Sequence, residues 1–225
     1  TTIRSKARRV RKMPEAQPAF QFVDLRQQQQ TAQLGMWTFI ATEVLFFGGL
    51  ILAYCVYRTG NPDGFAEAAR HTKIVIGAIN TGVLLTSSFL VAWAVTVARL
   101  RQSGIASVLL WLAALLGLGF LALKGIEYAI EYHEHLVPAL NFAYGGPNAA
   151  SVYLFFCFYF IATGLHALHV AIGIVVLAVI GRQARRGLYS DRYHAPATVA
   201  ALYWHFVDVV WVFLFALIYL PGRAS

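Results

Sequence analysis

Five apolar runs constrain this chain more than anything else in it. They lie near 34–57, 74–98, 106–130, 151–180 and 195–220. A bilayer core about 30 Å thick is crossed by roughly 20 helical residues, so each run is long enough to span it. The runs are apolar on most sides, as helices facing lipid or fully enclosed by other helices are. Membrane β-strands would be about 10 residues long and would alternate in polarity; these runs do neither. Only 12% of residues are charged and 59% are hydrophobic, too few charges to coat a soluble domain. The expected fold is therefore an all-α integral membrane protein with five transmembrane helices. It divides into a basic polar tail (1–33), a membrane domain (34–220) and a short external tail (221–225).

Breakers separate the runs. The first gap contains Gly60-Asn61-Pro62-Asp63-Gly64, and the second lies around Arg99 to Gly104. The third contains Pro138 and Gly145-Gly146-Pro147, and the fourth runs from Arg182 to Pro196. No internal repeat is visible, so symmetry offers no support for an inverted-repeat transporter. The tail does not read as a signal peptide, because Pro14, Pro18 and the glutamines 27–30 stand where an apolar segment would be.

The net charge of +8 reflects topology and not nucleic-acid binding. Seven basic residues precede residue 27, two more are Arg99 and Arg101, and four lie between Arg182 and Arg192. All 13 fall on one side of a five-span chain. Arg58, Arg70, Lys73 and Arg223 fall on the other. The positive-inside rule then predicts a cytoplasmic N-terminus and a periplasmic C-terminus.

Ionisable groups inside a bilayer cost free energy and mark places to look for function. Glu43 sits mid-span among Phe39, Ile40, Phe46 and Phe47, and is expected to be protonated or bonded to a histidine of another helix. His166 and His169 are three apart and read as sharing a face of the fourth span, with hydrogen-bonded packing expected. A metal would require a third ligand, for which His205 of the fifth span is the candidate. His205 and Asp208, also three apart, read as a satisfied His–Asp pair flanked by Trp204 and Trp211. Lys124 and Glu127 read as a pair near the outer end of the third span, with the lysine snorkelling outward. The loop opening with His133, Glu134 and His135 lacks Lys and Arg, which suits a solvated loop or a basic partner. Cys55 and Cys157 lie in apolar runs with no CxxC motif, so buried hydrophobes are expected and not a zinc or iron–sulfur site.

The order of motifs resembles subunit III of the haem–copper oxidases of the cytochrome c oxidase type. The motifs are WTFIATEVLFFGG, AINTGVLLTSSF, LKGIEY, TGLHALHVAIG and YWHFVDVVWVFLF, and the resemblance covers roughly 34–220. It implies a non-catalytic subunit of a respiratory complex that passes electrons from cytochrome c to dioxygen and pumps protons. Such a subunit packs on subunit I, neighbours subunit II, binds phospholipid in a cleft, and supports proton uptake and the enzyme's working lifetime. Haem and copper belong to the partner subunits and none to this chain. Membership of a respiratory supercomplex and residence in the bacterial inner membrane are compatible with it. Glu43 matches the family's carbodiimide-reactive membrane carboxyl, and His166, His169 and His205 would line the lipid-facing interior with it. Larger members have seven spans; this chain matches the short five-span form. The tail 1–33 falls outside the resemblance. Quinol oxidases and nitric oxide reductases use similar subunits. A stand-alone transporter or channel, or a haem b cytochrome, is the competing reading from another class.

Overall fold

The computed structural model describes residues 20–100, 102–186 and 195–221, and within them the chain is helical, with its longest connection at 134–148. Among the described residues there are six helices: α1 (Leu25–Gly60), α2 (Pro62–His71), α3 (Ile74–Arg99), α4 (Ser103–His133), α5 (Ala149–Arg185) and α6 (Ala195–Tyr219). All but α2 are long and apolar enough to cross a membrane, which gives the five expected spans.

Several helices overrun the apolar runs that announce them. α1 begins at Leu25, well inside the segment read as a polar tail, because the Asp24 side chain caps it by accepting from the Gln27 N–H at 2.6 Å. At 36 residues it is about 54 Å long, far more than the hydrocarbon core requires. The gap after it is also helical. Pro62 occupies the first turn of α2, Asp63 stands at its positive end, and Arg70 and His71 stand at its negative end. Phe65, Ala68 and Ala69 of α2 are fully enclosed, so α2 is an amphipathic cap laid on the end of α5.

The core is a four-helix bundle of α3, α4, α5 and α6, with α1 outside it against α5 and α6. Half of the most apolar stretch of α6 is buried inside the molecule, against 11% for α1. The reason lies in side-chain size at the contacts. Gly117 of α4 and Gly173 of α5 leave room for Trp204 of α6, whose ring would lie 2.8 and 2.7 Å from a Cβ at those positions. Small residues let helices approach closely where the hydrophobic effect does not drive them together. Polar cross-links finish the job. The Trp204 indole donates to Ser87 at 3.0 Å, and Ser87 donates to the Ala113 carbonyl at 3.1 Å. The Ser107 hydroxyl donates to the Gly181 carbonyl at 2.8 Å, joining α4 to α5.

Candidate functional site

The polar interior gathers around Lys124. It does not snorkel, as the sequence suggested; it is 2% exposed, and Glu127 beside it is fully buried. The i,i+3 pair itself forms at 3.0 Å. Lys124 stays inside because two tyrosines complete its hydrogen bonding. Its ammonium donates to Tyr159 of α5 at 3.0 Å and to Tyr219 of α6 at 2.9 Å, and Tyr219 donates to the second Glu127 oxygen at 2.9 Å. Aromatic faces of Tyr128, Tyr159 and Trp211 lie within 5.5 Å of the ammonium. Tyr128 meets Thr163 at 2.6 Å, and Thr163 donates to the Tyr159 carbonyl. This knot joins α4, α5 and α6 at the end of the bundle that bears the α4–α5 loop.

Glu131, Tyr159 and Tyr219 complete the knot beyond the Lys124–Glu127 pair that spacing predicts. Glu131 follows Lys124 and Glu127 at i+7 on the same helix face and is also fully enclosed, with neither carboxyl oxygen hydrogen-bonded. Its register was a usable signal. Tyr159 and Tyr219 carry none, since they reach Lys124 from helices distant in sequence.

Glu43 and His169 come together, as expected for a carboxyl bonded to a histidine of another helix. Glu43 Oε2 lies 3.3 Å from His169 Nε2, without the alignment of a full hydrogen bond. His169 Nδ1 is 2.8 Å from the Leu165 carbonyl, which assigns the proton there and leaves Nε2 facing the acid. Phe47 packs edge-on against the same ring. Glu43 and His169 are each partly exposed, so this seam between α1 and α5 lies at the molecular surface.

His166 and His169 do not serve one face. Three residues are 60° apart around a helix, and α5 is wedged between α4 and α6 on one side and α1 on the other. His166 therefore turns inward, completely buried between Phe120 and Trp211, with neither ring nitrogen hydrogen-bonded. The expected hydrogen-bonded packing is not formed there, nor does His166 line a lipid-facing surface. His205 and Asp208 likewise do not pair with each other. His205 Nδ1 contacts the Ser88 hydroxyl of α3, while both buried Asp208 oxygens lack a hydrogen-bond partner. The i,i+3 spacing put them close, but α3 supplies the histidine's partner. His205 thus faces α3 and His169 faces α1, which separates the ligands a metal would need. Among the described residues no three His, Cys, Asp or Glu side chains converge.

Outside the spans, Glu67 of α2 accepts from Asn148 at 2.8 Å and from the Tyr144 hydroxyl. These bonds hold its carboxyl below the usual carboxylate range and push the Tyr144 phenol up. Glu134 pairs with Lys73 at 2.6 Å, so the acidic loop start is neutralised within the chain.

The family described as "Cytochrome c oxidase subunit III" matches residues 16–223. The match reaches 18 residues further toward the N-terminus than the motifs did, into the segment that had seemed unrelated. Cytochrome c oxidase subunit 3 of Thermostichus vulcanus is 34% identical over 84% of this chain and 87% of its own length. The protein of the same name from Bacillus subtilis is 33% identical over 85% of this chain and 87% of its own. A probable quinol oxidase subunit 3 of Staphylococcus aureus is 31% identical over 84% of this chain and 89% of its own.

Proposed function

The chain belongs to the cytochrome c oxidase subunit III family, and from that premise we propose that it is the non-catalytic third subunit of a bacterial respiratory cytochrome c oxidase. Its partners are subunit I, against which it packs, subunit II, and membrane phospholipid. Haem and copper reside in those partners. The complex lies in the inner membrane, with this chain's N-terminus in the cytoplasm and its C-terminus in the periplasm, the orientation that the 13 to 4 distribution of basic residues favours. The similarity to a probable quinol oxidase subunit supports a second reading in which quinol is the electron donor. Identifying the neighbouring subunit II decides between them, since a copper-binding domain there marks cytochrome c as the donor.

One observation carries the non-catalytic reading. Lys124, His169 and His205 are committed to different neighbours within the chain, to Glu127, Glu43 and Ser88 in turn, while His166, Asp208 and Glu131 are buried at separate points with no hydrogen-bond partner. They brace helices and do not converge on a reacting centre. The action on the reaction is then indirect. Exposed apolar side chains of α1, such as Trp37, Leu45 and Leu52, meet lipid tails or subunit I, and the Glu43–His169 contact holds α1 in register against α5. A steady α1 keeps lipid and water ordered where subunit I takes up protons.

Point variants in the intact oxidase test this. Glu43→Ala and His205→Ala should leave the initial rate of oxygen consumption nearly unchanged and shorten the time over which turnover is sustained. Loss in full proportion from the first second would refute the indirect role.

A further inference from the structure

We infer that the Lys124 knot binds one proton beyond those its hydrogen bonds account for, held on the Glu131 carboxyl beside the Tyr159 hydroxyl. The inference rests on donor and charge counting and is independent of the proposed role in the oxidase.

An ammonium has three donors, and Lys124 spends all of them on Glu127, Tyr159 and Tyr219. Tyr219 spends its single proton on Glu127. Thr163 donates to the Tyr159 carbonyl, so the Tyr128–Thr163 contact uses the Tyr128 proton. Tyr159 accepts from Lys124, and its own hydroxyl proton is the one donor left, next to Glu131. Glu131 is fully enclosed with both oxygens unpartnered. A carboxylate needs several donors to be stable out of water, and at most one is present.

The charges give the same answer. Within α4, Lys124 balances Glu127. At its end, Glu134 is balanced by Lys73 from the start of α3. α5 and α6 bring the phenols Tyr159 and Tyr219 to the cluster, and α5 also sets His166 near Lys124, with neither ring nitrogen hydrogen-bonded to Glu131. Glu131 is the odd acid, and an ionised Glu131 would be a buried charge without a counterion. Sodium or potassium would neutralise it, but such ions require several oxygen ligands around one point. Here the Tyr159 oxygen already accepts from Lys124, which leaves the two Glu131 oxygens, too few for a metal cage. A proton needs only one. As a neutral acid, Glu131 places no uncompensated charge in the interior, and it stores an exchangeable proton two residues before the end of α4.

Infrared spectroscopy of the intact, purified complex is the test, with protonated carboxyl groups read from their carbonyl stretch and its downshift in deuterium oxide. Glu131→Gln should remove one such band, and Glu131→Asp should move it. Lys124→Met should add a band, as Glu127 takes up a proton once its counterion is gone. Should the glutamine variant fail to assemble, the aspartate variant decides: a displaced band supports the assignment and an unmoved one overturns it. Unchanged carboxylic-acid intensity in Glu131→Gln overturns it as well. So does a melting temperature that rises with sodium or potassium in the wild type but not in Glu131→Gln, which would place a metal cation where we place the proton.

Discussion

The Lys124 knot and the Glu43–His169 seam solve one problem in opposite ways. Both put ionisable side chains inside membrane-spanning helices. The knot encloses Lys124 and Glu127 completely and gives each ammonium proton an acceptor from α4, α5 or α6. The seam relies on one imperfect contact of 3.3 Å between partly exposed groups. Only Phe47 and Tyr54 of α1 are buried, and Tyr54 adds a single hydrogen bond to the Leu217 carbonyl. The lesson is that polarity in the spans does not measure importance to the fold. A saturated, buried network fastens the four-helix core, while a partly exposed pair aligns a peripheral helix of which little is enclosed by the rest of the chain.

Breaking the knot should have the largest effect. Lys124→Met leaves Glu127 buried without its counterion, and losing one partner of such a pair costs about 3–5 kcal/mol. Thermal unfolding of the purified complex in detergent should show this chain lost first. The glycines sharpen the contrast. Gly117→Ala and Gly173→Ala force a methyl against the buried Trp204 ring, an overpacking worth about 1–3 kcal/mol. Gly48→Ala and Gly49→Ala in α1 meet nothing within 4 Å and should be neutral or stabilising by up to about 1 kcal/mol, through better helix propensity. If all four cost the same, the core and α1 are not distinct. Glu43→Gln should cost less, about 0.6 kcal/mol, the usual worth of an interhelical polar contact in a membrane.

The smallest effect lies outside the membrane. The folded-state pKa of Glu67 is lowered by its bonds to Tyr144 and Asn148. Its contribution is therefore full above the unfolded carboxylate's pKa and is lost as pH falls through the lower folded value. Hydrogen exchange in α2 and residues 142–148 should quicken on acidification to that point, and Glu67→Gln should abolish the dependence.

How far the sequence announced this molecule depended on whether the signal was local. The spans were legible because twenty consecutive apolar residues have few other stable fates. α2 is harder to see, because the turn-forming residues at its start mask the short amphipathic helix that Asn61-Pro62-Asp63 and the Phe65, Ala68, Ala69 spacing encode. The Lys124–Glu127 contact follows from spacing, and the chemistry of Glu43 asks for a histidine of another helix without naming His169; the depth of neither contact is legible. Burial of Lys124 depends on Tyr159 and Tyr219, which lie 35 and 95 residues away. The i,i+3 rule misled at His205 and Asp208, because a neighbouring helix offered the histidine a better partner. It misled at His166 because a rotation of 60° about α5 exchanges one neighbour for another.

The central claim is that this chain sustains the oxidase reaction without taking part in its chemistry. The direct measurement is oxygen consumption by the complex purified with and without this chain, followed from the first turnovers to inactivation, with haem and copper determined in both. Equal metal content and nearly equal initial rates, with earlier inactivation of the depleted complex, are the predicted result. Loss of haem or copper, or of the initial rate, in step with removal of this chain would contradict it.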